Sequence, residues 1–191
     1  MKVIISGMAA VGKSTLARVL AKRYNLKLCS PGDLLKGMAR EQGYNPVGDG
    51  WWESEEGLDF LKKRKSDPRF DRELDRRIKE ILDSENVVVT AWTMPWIYNN
   101  DECIRIWLKA PEEIRARRMM KRDRISFDQA LRIVKERDVN NMELFLRFYN
   151  IQLGIDLSPF DIVLDTRKLS AKDVESIVLT ILEKLKKESS R

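Results

Sequence analysis

A run of residues near the start of the chain has the types and spacing of a loop that binds phosphate. The pattern G-x-x-x-x-G-K-[ST] is fitted by Gly7-Met8-Ala9-Ala10-Val11-Gly12-Lys13-Ser14, and Thr15 follows. In such a loop the glycines let backbone amides face an anion, the lysine reaches the outer phosphates, and the hydroxyl after it ligates Mg²⁺. We therefore expect these residues to bind the phosphates of ATP, with Lys13 acting in catalysis and Ser14 holding Mg²⁺.

The elements on either side of this loop place it where it would work. The apolar run Val3-Ile4-Ile5 predicts a strand at about Lys2–Ser6, and the residues after the loop predict a helix to about Tyr24. The first amides of a helix have no partner within it, and its dipole is positive at that end, so both attract an anion. The alternative interpretation is a glycine-punctuated turn with an incidental lysine.

Composition bounds the class of protein. The chain has 191 residues, enough for one domain with a sizeable core, and 36 basic against 30 acidic residues leave a net charge of +6. This excess suits either a solvated surface or a cleft for phosphorylated ligands. A nucleic-acid partner is left open but not favoured, because no long basic run is interleaved with aromatics. The absence of histidine excludes histidine as a general base and as a zinc ligand.

Cysteines and apolar runs predict the compartment. Cys29 and Cys103 each lie in an apolar, strand-like run, which indicates buried free thiols and a reducing environment. No apolar run approaches the roughly 18 residues of a membrane span, and the N-terminus leads directly into the first strand rather than into a signal peptide. We therefore expect a cytoplasmic protein with no membrane partner, of undetermined oligomeric state.

Strands and helices alternate along the chain, which predicts an α/β fold with a five-stranded parallel sheet covered on both faces. After the first strand, the predicted strands are at about Leu26–Ser30, Asn86–Thr90, Cys103–Leu108 and Phe160–Asp165. Later helices are predicted to about Glu41, from about Pro68, at about Glu112–Arg122, from Ser126 to about Tyr149, and from Ser170. The stretch Gln42–Ser66 is the least regular part of the chain.

Further motifs extend along nearly the whole chain. Besides the phosphate loop they are Ser30-Pro31-Gly32-Asp33, Ile106-Trp107-Leu108-Lys109-Ala110-Pro111, the arginines Arg115, Arg118 and Arg122, Lys135-Glu136-Arg137, and Phe160-Asp161-Ile162-Val163-Leu164-Asp165-Thr166. In these the chain resembles the nucleoside monophosphate kinases, and among them the archaeal-type cytidylate kinases. The resemblance implies a P-loop NTPase three-layer sandwich that uses ATP and Mg²⁺. Its core would be about 1–33, 85–121 and 151–191, with a helical acceptor-binding arm at about 34–84 and a mobile helical lid at about 122–150.

The resemblance also implies the groups that act on the transferred phosphoryl. Arg118, Arg122 and Arg137 would surround it, since phosphoryl transfer needs positioning and cations more than a base. Their alternative role is a solvated basic face, and Arg115 would lie near the adenine or brace its helix. Asp33 follows a strand whose end we expect to border the loop, where it would hold a magnesium-bound water or orient the acceptor. Its alternative role is a helix N-cap.

The acceptor side departs from the family pattern. Lys36 and Trp92 stand where the family usually carries arginine, and an acceptor phosphate is normally gripped by planar guanidinium groups. In the lid, basic residues expected beyond Arg137 are replaced by Met142, Glu143 and Leu144, and Arg147 is the remaining cation further along. The acceptor site is therefore expected to include Asp33, Lys36, Asp75 and Trp92, and its ligand is left open.

Side chains of the predicted arm and of nearby strand ends have two interpretations each. Trp51, Trp52, Trp92 and Trp96 would either stack on a flat ligand or pack the arm on the core, whereas Trp107 is expected in the core. Asp75, with Asp71, Arg76 and Arg77 on the same predicted helix, would either read a base edge or form surface ion pairs.

Three functions follow from these residues. The first is a nucleoside monophosphate kinase with a CMP-, dCMP- or UMP-like acceptor. The second is a kinase for a non-nucleotide small molecule, motivated by Trp92. The third is an ATPase switch that binds RNA or a ribosomal particle, since fold alone predicts the acceptor poorly.

Overall fold

The computed structural model describes residues 1–48, 51–52 and 54–188. Its strands are β1 (Lys2–Gly7), β2 (Lys27–Cys29), β3 (Val87–Thr90), β4 (Cys103–Lys109) and β5 (Ile162–Asp165). Its helices are α1 (Lys13–Tyr24), α2 (Pro31–Glu41), α3 (Glu55–Ser66), α4 (Arg69–Ser84), α5 (Met94–Ile97), α6 (Glu112–Asp123), α7 (Phe127–Tyr149) and α8 (Ala171–Glu188). Residues 49, 50 and 53 of the expected arm, and 189–191 of the expected core, lie outside the described residues.

The five strands form one parallel sheet in the order β2-β3-β1-β4-β5, as predicted. Because all strands run in the same direction, their carboxyl ends meet at one edge, where ligands bind in folds of this kind. The strand next to β1 on one side is β3, not β2, in a register that pairs Ile5 with Thr90. The end of β2 is therefore not directly beside β1, because β3 lies between them, although the carboxyl ends of both strands lie at the same edge of the sheet as the phosphate loop.

Alternate residues of the strands face two separate cores. On one face Val3 and Ile5 pack with apolar residues of α1 and α8, and on the other Ile4 packs with α2, α3 and α4. Trp107 lies fully within the protein, as predicted, and Cys29 and Cys103 are buried free thiols. Burial raises the pKa of both thiols to about 11, so neither is a nucleophile at neutral pH.

Helix α3 corrects the expectation that Gln42–Ser66 is irregular. Ser54 caps this helix, because its hydroxyl accepts a hydrogen bond from the amide of Gly57 at 3.2 Å. Phe60 is fully buried and packs against Trp51 in the core below the arm. The helix therefore depends on its cap and on one buried aromatic, whereas its remaining residues are mostly charged.

Helices α6 and α7 form an antiparallel pair that borders the phosphate loop. Ala116, Met119, Ala130 and Val134 are buried between them, and Ala10 of the loop packs against this cluster. The hydroxyl of Ser126 caps α7 as predicted. The boundaries of arm and lid remain predictions. Within the described residues, none of the helices combines the length and the apolar character that crossing a bilayer needs.

Candidate active site

The phosphate loop depends on backbone conformations that only certain residues adopt. Gly7 has φ +138° and Gly12 φ +112°, both in the region that favours glycine. A Cβ at Gly7 would lie 2.3 Å from the carbonyl oxygen of Leu108, so no side chain fits at this position. Between the two glycines, Ala10 has a left-handed backbone with φ +58°. The loop is thus curled over the end of β4.

Helix α1 begins without a side-chain cap, because its N-cap residue is Gly12. The first amides of the helix are therefore available to an anion, together with the positive end of the helix dipole. The side chains of Ser14 and Thr15 are exposed at this end. The described residues contain no cluster of three or more acidic, cysteine or histidine side chains that would hold a metal. The donor set fits Mg²⁺ bound through nucleotide phosphates and the Ser14 hydroxyl.

Lys13 lies folded back over the loop that precedes it. Its Nζ donates to the carbonyl oxygens of Gly7 at 2.6 Å and Met8 at 2.9 Å, and it is 4.8 Å from the centre of the Trp92 ring. Burial of the ammonium, together with the positive charges of Arg137 and Arg115, lowers the pKa of Lys13 to about 7. An arriving polyanion would raise this pKa again, because it supplies the negative charge that the site lacks.

An open cavity of about 990 Å³ continues from the loop along α6 and α8. Arg118 lies in its wall and donates to the carbonyl oxygen of Val11 at 3.0 Å and to the hydroxyl and carbonyl oxygens of Thr166 at 2.9 and 2.7 Å. Other lining residues include Ser14, Arg18, Met119, Lys121, Arg122, Leu169 and Lys172. The cavity thus combines apolar walls with an excess of positive charge next to the phosphate loop.

Arg115 does not line this cavity. Its side chain is buried and donates to the carbonyl oxygens of Ala110 at 2.9 Å and Ala9 at 3.2 Å, and to Asp138 at 2.6 Å. Of the two roles predicted for Arg115, the structure therefore favours that of a brace.

The other two candidate arginines are closer to solvent. Arg122 lines the cavity and forms an exposed ion pair with Asp123 at 2.6 Å. Arg137 is exposed on α7, near enough to Lys13 for its charge to lower the pKa of that lysine. The structure thus gathers Lys13, Arg118, Arg122 and Arg137 around the loop, but it gives Arg118 a bracing contact that the other two arginines lack.

Asp33 lies in the first turn of α2, and its side chain is exposed. The N-cap of α2 is Ser30, so the alternative in which Asp33 caps the helix is wrong. Among the described residues its carboxylate has no hydrogen-bond or ion-pair partner, which leaves it available to a ligand or to hydrated Mg²⁺.

On the acceptor side, two of the predicted binding residues, Lys36 and Asp75, already form hydrogen bonds with the protein. The Nζ of Lys36 donates to the carbonyl oxygen of Gly48 at 2.7 Å and lies 5.9 Å from the Trp52 ring. Asp75 is buried and accepts hydrogen bonds from the hydroxyls of Thr93 at 2.9 Å and Tyr149 at 2.7 Å. Burial nevertheless raises the pKa of Asp75 above its usual range.

The other residues predicted for the acceptor side either pack within the protein or form ion pairs at its surface. Trp51 is buried, and Trp96 packs on Trp107 and donates from Nε1 to Asp156 at 3.1 Å. Arg76 and Arg77 form ion pairs with glutamates and do not extend a base-reading edge from Asp75.

Trp92 contacts groups on both sides of the candidate site. It is half-buried, packs on Phe145 of α7 with ring centres 5.9 Å apart, and contacts the Lys13 ammonium. Sequence reasoning missed its neighbours Thr93, Phe145 and Tyr149. The position of Thr93 just beyond β3 was the one available signal, because strand ends carry the site in this fold.

Comparison with known proteins agrees with this geometry. Solved structures with the same fold include a shikimate kinase from Bacteroides thetaiotaomicron, with a TM-score of 0.53 and 17% identity, covering 97% of this chain and 98% of that one. A gluconokinase from Sinorhizobium meliloti 1021 has a TM-score of 0.56 and 14% identity, covering 99% and 95%. At these identities the likeness shows the fold alone: a P-loop kinase sandwich.

Sequence relatives are much closer. A cytidylate kinase from Pyrococcus abyssi is 36% identical over 183 residues, which cover 96% of this chain and 94% of that protein. One from Pyrobaculum islandicum is 38% identical over 177 residues, covering 93% and 90%. The profile of the cytidylate kinase-like family matches residues 2–168, which include the phosphate loop, the arm, and helices α6 and α7. With a phosphate loop of this geometry and relatives matched over nearly their full length, the chain belongs to the cytidylate kinase-like family of P-loop nucleotide kinases.

Proposed function

We propose that this protein transfers the γ-phosphoryl group of ATP to a pyrimidine nucleoside monophosphate such as CMP, dCMP or UMP. The observation that carries the proposal is the position of Lys13, which joins the open cavity at the phosphate loop to the aromatic site around Trp92. The relation to cytidylate kinases supports the acceptor class.

The donor nucleotide would occupy the cavity along α6 and α8. The amides at the start of α1 bind the β- and γ-phosphates, and Lys13 moves from the carbonyl oxygens of Gly7 and Met8 to the phosphates. The hydroxyl of Ser14 would hold Mg²⁺, with the carboxylate of Asp33 accepting from a water bound to the ion. When bound, Mg²⁺ neutralises charge that develops on the phosphates during transfer. Arg118 and the cavity wall position the nucleoside.

Arginines of the lid would complete the site. Both side chains are exposed, and Arg137 and, after release from Asp123, Arg122 would turn toward the phosphoryl group in flight, with an effect that reaches roughly 10³-fold or more for such arginines. Closure of the lid at about 122–150 would exclude water, which otherwise competes with the acceptor.

The acceptor would lie between Trp92, Lys36 and Asp75, with its phosphate oxygen aligned toward Lys13. Trp92 offers a ring face for stacking, and Asp75 accepts hydrogen bonds from the acceptor after one of its present donors is displaced. Because Trp92 cannot pair with a phosphate, the acceptor phosphate depends on Lys36 and the lid arginines.

An acceptor panel tests the proposal. ADP release from Mg-ATP is measured with CMP, dCMP, UMP, AMP and GMP, and then with sugars and amino acids. Stimulation by the pyrimidine monophosphates is expected, at least tenfold over the purine ones. Stimulation by a non-nucleotide alone would favour the second function, and equal hydrolysis with every acceptor, accompanied by RNA binding, would favour the ATPase switch.

A further inference from the structure

Two arginines of α6 hold the phosphate loop from its carbonyl side. Arg115 donates to the carbonyl oxygen of Ala9 at 3.2 Å, and Arg118 to that of Val11 at 3.0 Å. The residue between these carbonyls is Ala10, whose left-handed backbone turns the loop. Where left- and right-handed residues alternate, successive amides converge on one side of the backbone and leave the carbonyls to other partners. The two guanidinium groups thus stabilise the loop shape that presents amides to phosphate.

Arg115 connects this loop to the lid helix α7. Besides Ala9 it holds the carbonyl oxygen of Ala110 at 2.9 Å and the Oδ2 of Asp138 at 2.6 Å, and both charged side chains are more than nine-tenths buried. The second carboxylate oxygen of Asp138, Oδ1, is buried without a hydrogen-bond partner among the described residues. A buried ion pair gains little stability over an apolar pair, because both charges lose their hydration. Its value here lies in fixing where α7 meets the loop.

The residue before Asp138 is the proposed catalytic Arg137. Its side chain is exposed, and its charge is close enough to Lys13 to lower the pKa of that lysine. Because neighbouring residues of a helix move together, the ion pair that anchors Asp138 also determines where Arg137 stands relative to the loop.

We infer that Arg115 and Asp138 are positioning residues that link the anion-binding shape of the phosphate loop to the placement of Arg137. Neither residue lines the cavity next to the phosphate loop. Arg115 fixes the backbone shape of the loop through its hydrogen bond to Ala9. Asp138 fixes the position of α7 through its ion pair with Arg115. Because Arg115 makes both contacts, the loop shape and the helix position depend on each other. The predicted changes in kcat rest on the proposed phosphoryl transfer. The predicted change in nucleotide affinity does not depend on which acceptor is used.

A double-mutant cycle tests the link between Asp138 and Arg137. Asp138→Asn keeps the size of the side chain and removes its charge, and it is expected to lower kcat about 10- to 100-fold with less than a threefold change in the KM for ATP. In an Arg137→Ala background the same substitution is expected to lower kcat less than about twofold further, because the residue it positions is gone. Losses that multiply in the double variant would overturn the inference.

A second pair of variants tests the loop without an acceptor. Arg115→Lys keeps a charge but cannot reach three partners at once, and we expect it to weaken binding of a nonhydrolysable ATP analogue about 5- to 20-fold. Arg117→Lys, at an exposed position of the same helix, is the matched control and should leave this affinity unchanged. Equal affinity of Arg115→Lys and wild type would contradict the positioning role of Arg115.

Folding is measured on every variant, because removal of one partner from a buried pair destabilises proteins. If Asp138→Asn does not fold, Asp138→Glu replaces it in the cycle, since the longer carboxylate keeps the charge and displaces α7. A purely structural role would lower Tm and leave kcat per folded molecule unchanged. If the wild type transfers phosphate to no acceptor, the proposed function fails. The binding result for Arg115→Lys then still decides whether Arg115 maintains the anion-binding shape of the phosphate loop.

Discussion

The proposed donor and acceptor sides of this molecule differ in whether their polar groups are available to a ligand. At the donor side, the first amides of α1, the side chains of Ser14 and Thr15 and a cavity of about 990 Å³ are open to a ligand. At the acceptor side, both carboxylate oxygens of Asp75 are engaged by Thr93 and Tyr149, and Lys36 donates to a backbone carbonyl.

This difference indicates how each substrate would bind. In the proposed function, the donor nucleotide would enter a site whose backbone Arg115 and Arg118 brace from behind, so few protein contacts would be broken. The acceptor would have to displace hydrogen bonds that the protein makes with itself, and each displaced bond would reduce its apparent affinity. Specificity for the acceptor therefore depends on how well it replaces those bonds.

The largest expected effect tests the donor side. Lys13→Ala should lower kcat about 10³-fold or more, because no other ammonium lies within the loop. Removal of this desolvated charge beside Arg137 and Arg115 should leave Tm within a few degrees of wild type, by differential scanning calorimetry. Lys22→Ala, exposed at the other end of α1, is the control. Transfer that survives Lys13→Ala would show that the donor site lies elsewhere.

An effect of intermediate size tests the acceptor side. Tyr149→Phe removes one donor from Asp75, which should cost about 1–3 kcal/mol of unfolding free energy in urea titrations. We expect the acceptor KM to fall severalfold, because Tyr149 no longer competes for the carboxylate. Arg76→Ala breaks only exposed ion pairs, so it should leave the stability nearly unchanged and KM unaltered. A rise in KM for Tyr149→Phe would mean that the hydroxyl assists the acceptor instead.

The smallest effect tests the electrostatic part of the comparison. The pKa of Lys13 is lowered to about 7, so at pH 8 most molecules hold it neutral, and binding of the ATP analogue should take up close to one proton. At pH 6 the uptake should vanish, because the lysine is already charged. Calorimetry in two buffers of different ionisation enthalpy measures this difference. The variant Lys13→Arg, which stays charged, should take up none; wild-type binding without proton uptake at pH 8 would contradict the lowered pKa.

The lowered pKa of Lys13 also predicts how the stability of the protein changes with pH. An unfolded lysine has an ordinary pKa near 10.5, so between about pH 7 and 10.5 the unfolded state binds more protons at this residue than the folded state. The contribution of Lys13 to the free energy of unfolding therefore increases with pH across that range.

Sequence patterns were sufficient for the sheet, most of the helices and the phosphate loop. The reason is that strands, helix caps and the G-x-x-x-x-G-K-S loop depend on residues that are close together in the sequence. The predicted cap at Ser126 is an example. Helix α3 was missed because its few apolar residues show no clear period, and Phe60 stabilises it only through a core built from distant segments.

The sequence by itself determined the family, the fold class and the position of the phosphate loop. Only the tertiary structure decided what similar residues do. Arg115 and Arg118 lie one turn apart on the same basic helix and both hold the phosphate loop, yet Arg115 is buried whereas Arg118 also lines the cavity. The contact of Arg115 with Ala9 joins residues 106 positions apart, and that with Asp138 spans 23 positions. Such roles depend on which distant partners folding brings within hydrogen-bond distance, and no local pattern encodes that.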